Sequence, residues 1–213
     1  MDANLCFGFS VQDWGNLEPR LDHDESAWVE AIRVFERRMN ERFFTCIDAL
    51  INADTRPDSQ SSASSAGAHW LPDAHCIPGF SIIALCCLLI ETMQTFREGA
   101  SRKTEKQFIK FLKRPAFDGA FVDDKIAECF VNGIRNGILH EAETRKWVIW
   151  RESPSQMVVV HQDGYALNRT LFYEAVKEEF GLYLKELNDP GNPANHELRE
   201  KFKKQMNDIC KET

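Results

Sequence analysis

Three polar side chains near residue 140 are the residues of this chain best suited to chemistry. Arg135, Asn136 and His140 lie in the stretch FVNGIRNGILHEAE, residues 130 to 143, whose other positions have the pattern of a buried helix. A histidine exchanges a proton near neutral pH, and an arginine is a permanent cation with several hydrogen-bond donors. Together these residue types are suited to proton transfer beside an anion whose charge grows during a reaction.

Helical geometry predicts that these residues share one side of the helix. Residues four apart lie nearly above one another, so Asn132, Asn136 and His140 form a polar stripe. Arg135 stands on its flank with a side chain long enough to reach round. The other side carries an apolar stripe, formed by Ile126, Phe130, Ile134 and Ile138.

Two glycines, Gly133 and Gly137, lie between the stripes. Each costs a helix roughly 1 kcal/mol relative to alanine, and close approach by another backbone is the usual reason for accepting that cost. We therefore expect a second helix, or a ligand, against this face. The alternative is that the glycines admit a bulky core residue such as Phe96 or Trp28.

Composition predicts one soluble, folded domain over residues 1–213. The 43% hydrophobic and 28% charged fractions are ordinary for a globular chain of 213 residues. We expect no leader and no membrane contact, since the longest apolar run, Ile82 to Ile90, is far short of the ~20 residues that span a bilayer. Seven scattered cysteines favour reduced thiols and a cytoplasmic location. We expect no cofactor. We also expect no metal, because no cysteine pair has the spacing of a zinc site; a site at His69, His75 and Cys76, in a loose segment, is the alternative.

The first half of the chain predicts long helices. Residues 1–24 show no sustained periodicity and are expected to form an irregular lead-in. Apolar positions at a three-to-four spacing predict an amphipathic helix over residues 25–53, capped by Asp24 or Ser26. Residues 54–75 are rich in Ser and Ala and are predicted to form a flexible loop. A near-continuous apolar helix from Pro78 to Gly99 should be the centre of the core.

The second half predicts a mixed arrangement. Residues 102–114 should form a short helix, and a further helix beginning near Asp118 should carry the motif. Strand formers within residues 146–168 predict a small appended β-hairpin, with the turn at 163–164 as its extension. Its tryptophans, Trp147 and Trp150, are expected to pack on the bundle, with base stacking as the alternative. Asn168 should cap the first of the C-terminal helices within 169–213.

The motif resembles that of a known superfamily. An arginine followed by a polar residue, three more positions and a histidine, late on the last long helix of an all-α bundle, is similar to the HEPN superfamily (higher eukaryotes and prokaryotes nucleotide-binding). The sequence RNGILH matches its R-x4-H form, and the resemblance covers roughly residues 25–145. It implies a HEPN-like up-and-down helical bundle. It also implies a metal-independent endoribonuclease, active as a homodimer in which two motifs face each other.

The resemblance assigns roles to the motif. His140 would be the general acid or base, and Arg135 would stabilise the charge on the phosphate. Asn136 would hold the histidine ring or a phosphate oxygen. Glu91 or Glu141 would fix the histidine tautomer, with Asn132 beside them. The glycine pair would permit the close helix crossing of a dimer site.

Each role also has a structural alternative. Arg and His are favoured near the C-terminal end of any helix by the macrodipole. Glu91, in an apolar helix, would in that case be an end-of-helix residue that reaches solvent or an arginine.

Charge gives a second indication. A net charge of −7 argues against indiscriminate binding of nucleic acid. Residues 97–114 are basic in contrast, with seven Lys and Arg against two Glu, a net charge of +5 by that count. Within them, four cations are candidates for guiding a phosphate backbone to the motif: Arg102, Lys103, Lys106 and Lys110. The alternative is the solvated face of a surface helix.

Two function classes follow. The first is an RNA-cleaving enzyme of the toxin or defence type, held in check by a cognate antitoxin or regulatory protein. The second is a non-catalytic HEPN-like module that binds nucleotide, RNA or a protein partner; an accessory bundle without a ligand is a third possibility. Catalysis requires an accessible His140, whereas a structural stripe would be buried and hydrogen-bonded.

Overall fold

A computed structural model describes residues 3–54, 77–99, 105–151 and 155–212. The protein is mainly helical with small sheets, as the sequence predicted. The Ser- and Ala-rich segment 54–75 lies outside the described residues except for Asp54, which ends a helix. Arg102 and Lys103 also lie outside them.

The predicted irregular lead-in is wrong, because residues 4–22 form ordered elements. Strands β1 (Asn4–Cys6) and β2 (Phe9–Ser10) pair antiparallel, and helix α1 (Val11–Leu17) and a 3-10 turn (Glu18–Asp22) follow. A capping box starts α1, since the Ser10 and Asp13 side chains each accept a hydrogen bond from the other residue's backbone N–H. The elements are too short to produce a periodic sequence pattern.

The long N-terminal helix is confirmed, with one interruption. It consists of α2 (Glu25–Met39), a π-helical turn (Asn40–Phe44) and α3 (Thr45–Asp54). Asp24 caps α2 as predicted, accepting a hydrogen bond of 2.8 Å from the backbone N–H of Ser26.

Helix α4 (Ile77–Glu98) is the centre of the core, as predicted. It packs against α3 and four later helices, and eight of its apolar side chains are at most 1% exposed. Gly99, at φ +64°, follows its last residue and fits the predicted end. The helix is long and apolar enough to cross a bilayer, but 61% of its most apolar window is buried inside the protein, which is also the pattern of a core helix.

The motif lies on a three-part helix. Helix α5 (Glu105–Leu112) and a 3-10 turn (Pro115–Phe117) lead to α6 (Asp124–Phe130), a π-helical turn (Val131–Asn136) and α7 (Gly137–Glu141). α6 begins at Asp124, six residues after the predicted start. Asp118 has a left-handed backbone, which ends the 3-10 turn, and Asp123 supplies the cap of α6.

The predicted hairpin is part of a three-stranded sheet with a different pairing. Strands β3 (Trp147–Trp150), β4 (Val158–His161) and β5 (Gly164–Asn168) lie in the order β3-β5-β4. β4 and β5 form the hairpin through a two-residue turn, and β3 pairs parallel with β5. Strand-forming residues reveal strands but not their partners, and here β4 lies in the sequence between the two parallel strands, which a parallel pair cannot join by a tight turn.

Two helices complete the fold. Asn168 caps α8 (Arg169–Asn188), accepting hydrogen bonds from the backbone N–H groups of Thr170 and Leu171 at 3.1 Å, as predicted. α9 (Asn195–Glu212) follows. Both pack against α4, so the core is helix on helix and the sheet lies beside it.

Candidate functional site

The motif helix is not a continuous α-helix, because Val131–Asn136 form a π-helical turn. Such turns are rare and occur frequently at functional sites. Arg135 and Asn136 lie in this turn, and His140 lies one turn later in α7. The apolar stripe is buried except for half-buried Ile126, whereas Asn132 and His140 are exposed and Asn136 is half-buried.

Glu91 of α4 holds Arg135. The Nε of Arg135 donates to Glu91 Oε1 at 2.7 Å, and Nη2 lies 2.5 Å from the same oxygen. The Glu91 side chain is 7% exposed and that of Arg135 is 20% exposed, so the ion pair lies at the edge of the core. Glu91 therefore binds the arginine, and the expected role of orienting the histidine is not seen.

Asn136 extends this contact to α5. Its Oδ1 accepts a hydrogen bond of 2.6 Å from Arg135 Nη1, and its Nδ2 donates to Glu105 Oε1 at 3.0 Å. Glu105 is the first residue of α5 and was not singled out from the sequence, although it lies within the basic stretch 97–114. The four side chains form a chain from Glu91 through Arg135 and Asn136 to Glu105, which we call the motif network. Two carboxylates and one guanidinium give it a formal charge of −1.

His140 lies outside the motif network. It is exposed, and within the described part of the chain no hydrogen bond to its ring is present. Its neighbour Glu141 pairs with Arg145, whose Nη2 and Nε lie 2.6 and 3.1 Å from the carboxylate oxygens. This contact lowers the pKa of the Glu141 carboxyl. Glu91 and Glu141 are the carboxylates expected to fix the tautomer of His140, and neither is hydrogen-bonded to the His140 ring.

The segment that packs against Gly133 and Gly137 is the one that directly follows the motif helix, and not a second helix. A Cβ at Gly133 would lie 2.7 Å from Cδ1 of Trp147, and a Cβ at Gly137 would overlap the carbonyl oxygen of Glu143. The close approach by another backbone is therefore present, but the predicted helix crossing is wrong. Neither Phe96 nor Trp28 is the side chain admitted. Trp147 also donates from Nε1 to the Cys129 carbonyl at 3.1 Å, which ties β3 to the motif helix.

Acidic side chains neutralise most of the basic stretch. In the described residues, four cations form ion pairs: Arg97 with Glu186, Lys110 with Glu98, Lys113 with Asp124, and Arg114 with Glu179. Lys106 is exposed, and among those same residues it has no ion-pair partner. The contact of Glu105 with Asn136 places α5 beside the motif, which is the arrangement that guidance by Lys106 and Lys110 requires. Guidance of a phosphate backbone remains a prediction.

The described ranges contain no group of three or more His, Cys, Asp or Glu side chains placed to hold a metal ion. His69, His75 and Cys76 lie outside them. Six of the seven cysteines are described, and all six are free. Burial raises the pKa of the Cys87 thiol, and the nearby Glu91 carboxylate raises it further.

Two cavities lie away from the motif. One of about 610 Å³ lies between the 3-10 turn before α6, the start of β4 and α8, and one of about 500 Å³ lies between α2 and α9. None of the residues lining either cavity belongs to residues 130–143.

Comparison with known proteins gives no assignment. No family model, no curated protein and no solved structure matches this chain. Membership of the HEPN superfamily is therefore not shown, and the motif geometry is the basis on which a function is proposed.

Proposed function

We propose that this protein is a metal-independent endoribonuclease of the HEPN type, with a composite active site in a cytoplasmic homodimer. One observation carries the proposal: Arg135 is held by Glu91 and Asn136, while His140, one turn further on, is exposed and free of hydrogen bonds within the described residues. A cation fixed in advance stabilises developing charge without reorganisation. An accessible histidine is what the catalytic hypothesis requires.

The helical architecture supports the resemblance on which the proposal rests. The motif lies late on a helix that precedes a small sheet, and Glu91 of the buried helix α4 contacts the motif arginine. An up-and-down bundle of the HEPN type is the arrangement we propose for these helices.

The proposed reaction uses two histidines for proton transfer and Arg135 for stabilisation of the phosphate charge. His140 in its neutral form takes the proton of an RNA 2′-hydroxyl, and the 2′-oxygen attacks the adjacent phosphorus. The bond from phosphorus to the 5′-oxygen breaks, and that oxygen receives a proton from the second protomer's copy of the histidine. The products are a 2′,3′-cyclic phosphate and a 5′-hydroxyl. Arg135 donates to the phosphate oxygens as their charge grows.

The outer side of α4 supplies a surface on which two protomers can pack. Leu88 is 37% exposed there, one turn before the half-buried Thr92. Thr92 donates its hydroxyl to the Leu88 carbonyl at 2.9 Å, and Thr95 donates to the Glu91 carbonyl at 2.8 Å. These hydroxyls are satisfied within the helix, so burying them costs little. Leu88, Thr92 and Thr95 adjoin Glu91 on this side of α4. Packing of two protomers across these residues would bring their two motifs together.

Cleavage of labelled structured and single-stranded RNA in excess EDTA tests the proposal. The wild-type protein should cleave, and both His140→Ala and Arg135→Ala should abolish cleavage. His196→Ala, which removes another exposed histidine, is the matched control and should retain full activity. Absence of cleavage by the folded wild type on every RNA would contradict the proposal.

A non-catalytic module is the second candidate, and the motif network favours it in one respect. Arg135 is already paired with Glu91, and Asn136 with Glu105, so the network is satisfied without a ligand. Such a module would bind nucleotide, RNA or a protein partner through the same surface. It predicts no cleavage, together with loss of stability or dimerisation in Arg135→Ala. A cognate antitoxin or regulatory protein is proposed as a partner under the enzyme hypothesis, and not under the module hypothesis.

A further inference from the structure

We propose that the outer face of the three-stranded sheet binds an unpaired base, so that the substrate of the adjacent motif is single-stranded RNA. We call this face the outer trough. It is formed by five side chains and the small residues of the central strand: Lys146, Val148, Trp150, Val159, His161, Gly164 and Ala166. The inference rests on the proposed function and names the substrate class of that site.

Strand alternation and register define the outer trough. Successive side chains of a strand point to opposite faces. Trp147 is buried against Phe130, at a ring distance of 5.4 Å, so the face that Trp147 shares with Ile149 is the inner one. Val148 is 56% exposed on the other face. The register aligns it with Ala166 and Val159, which therefore lie on the outer face as well.

Two rings meet over the middle of the central strand. Trp150 is aligned with Asn168 at one end of β5, and His161 with Gly164 at the other end. Their ring centroids are nevertheless only 5.7 Å apart, at an interplanar angle of 61°. Both side chains must lean inward over Ala166, which is 1% exposed although it lies on the outer face. Small residues on the central strand leave room for this arrangement.

The chemistry of the outer trough fits an unpaired base and its phosphate. Trp150 is half-buried. A base stacks on the accessible face of an aromatic ring whatever the identity of the base, and the neighbouring phosphate requires a cation. Lys146 immediately precedes β3, and the same alternation places it on the face of Trp150; it is exposed, and in the described part of the chain it has no ion-pair partner. This unpaired cation is the charge beside the outer trough that is complementary to the phosphate of a polyanion.

The outer trough is fixed relative to the motif. Trp147 fills the space above Gly133 and donates to the Cys129 carbonyl, so β3 continues from the motif helix without a free linker. Lys146 follows His140 by six residues. A single strand of RNA has exposed base faces that can stack on Trp150, whereas the bases of a duplex have none.

The test is binding of fluorescein-labelled 12-nucleotide RNAs, U12 and A12, to the full chain carrying His140→Ala so that RNA is not consumed. Anisotropy gives the dissociation constants, with a 12-base-pair RNA duplex as the comparison. Adding Trp150→Ala should weaken single-stranded binding by about 5- to 150-fold, as expected for loss of one stacked base. Trp150→Phe should retain most of the affinity, because it keeps an aromatic face. Val160→Ala, on the other face of β4, is the matched control and should bind unchanged.

Each outcome separates this inference from the proposed function. If wild-type protein cleaves RNA but Trp150→Ala binds U12 and A12 like its parent, the inference is overturned and the ribonuclease stands. If Trp150→Ala loses single-stranded binding while the wild type cleaves nothing, the trough is established and the catalytic proposal fails. Equal losses for the duplex and the single strands, or no binding of U12 and A12, would also overturn the inference. If the alanine variant does not fold, Trp150→Leu, which keeps an apolar side chain and removes the aromatic face, should show the same loss, and unchanged binding by it would overturn the inference.

Discussion

The Glu91–Arg135 ion pair should contribute measurably to stability. Replacing Arg135 with methionine removes two contacts of 2.5 and 2.7 Å to a carboxylate that is only 7% exposed. Breaking a buried pair costs roughly 3–5 kcal/mol. Because Arg135 is itself one-fifth exposed, water can solvate the site after the substitution and reduces this cost. We therefore expect the free energy of unfolding to fall by about 2–3 kcal/mol. For a domain of this size the Tm should fall by about 4–12 °C.

Thermal and urea unfolding followed by circular dichroism give this loss, and a double-mutant cycle with Glu91→Gln isolates the pair. We expect a coupling energy of about 1–2 kcal/mol, because the residues are in direct contact. Arg97→Met is the matched control: Arg97 also lies in a buried pair, 2.6 Å from Glu186, and its loss should lower the Tm without affecting RNA cleavage. A Tm for Arg135→Met within about 1 °C of wild type, or a coupling energy near zero, would refute the reasoning.

Three further predictions concern single side chains. Gly137→Ala should lower stability by roughly 1–3 kcal/mol, because the new methyl group overlaps the carbonyl of the turn that follows the motif. Gly181→Ala, in α8 with nothing within 4 Å of the new Cβ, should instead gain up to about 1 kcal/mol, and equal Tm shifts would contradict both expectations. Glu105→Gln removes a negative charge hydrogen-bonded to Asn136 and should raise RNA affinity about two- to fivefold by anisotropy; unchanged affinity would argue against phosphate binding at the motif network. Hydrogen bonds from neighbouring side chains and a backbone N–H lower the pKa of Asp24, so its contribution to stability is present above about pH 4 and is lost as the pH falls below that. The difference in urea midpoint between wild type and Asp24→Asn should therefore shrink from pH 7 to about pH 2.5, and a constant difference would contradict the assignment.

Local sequence signals predicted the long helices. Apolar spacing predicted α2, and a near-continuous apolar run predicted α4. Asp24 and Asn168 cap α2 and α8 as their residue types indicate. These features depend on neighbours within one or two turns, so a single sequence contains them.

Contacts between distant parts of the chain were not predictable in the same way. Arg135 meets Glu91 across 44 positions, and Asn136 meets Glu105 across 31. The parallel pairing of β3 with β5 likewise depends on a crossover that strand propensity does not reveal. The glycine pair did signal a close approach, but the approaching segment is set by how Trp147 packs.

The chemical form of the RNA ends tests the central claim most directly. Wild-type protein and His140→Ala would be incubated with a defined single-stranded RNA in excess EDTA, and the products analysed by mass spectrometry. The account predicts a 2′,3′-cyclic phosphate on one fragment and a 5′-hydroxyl on the other, formed by the wild type and not by the variant. Intact RNA in both reactions, or identical products from both, would contradict the assignment of His140 as the group that moves the proton.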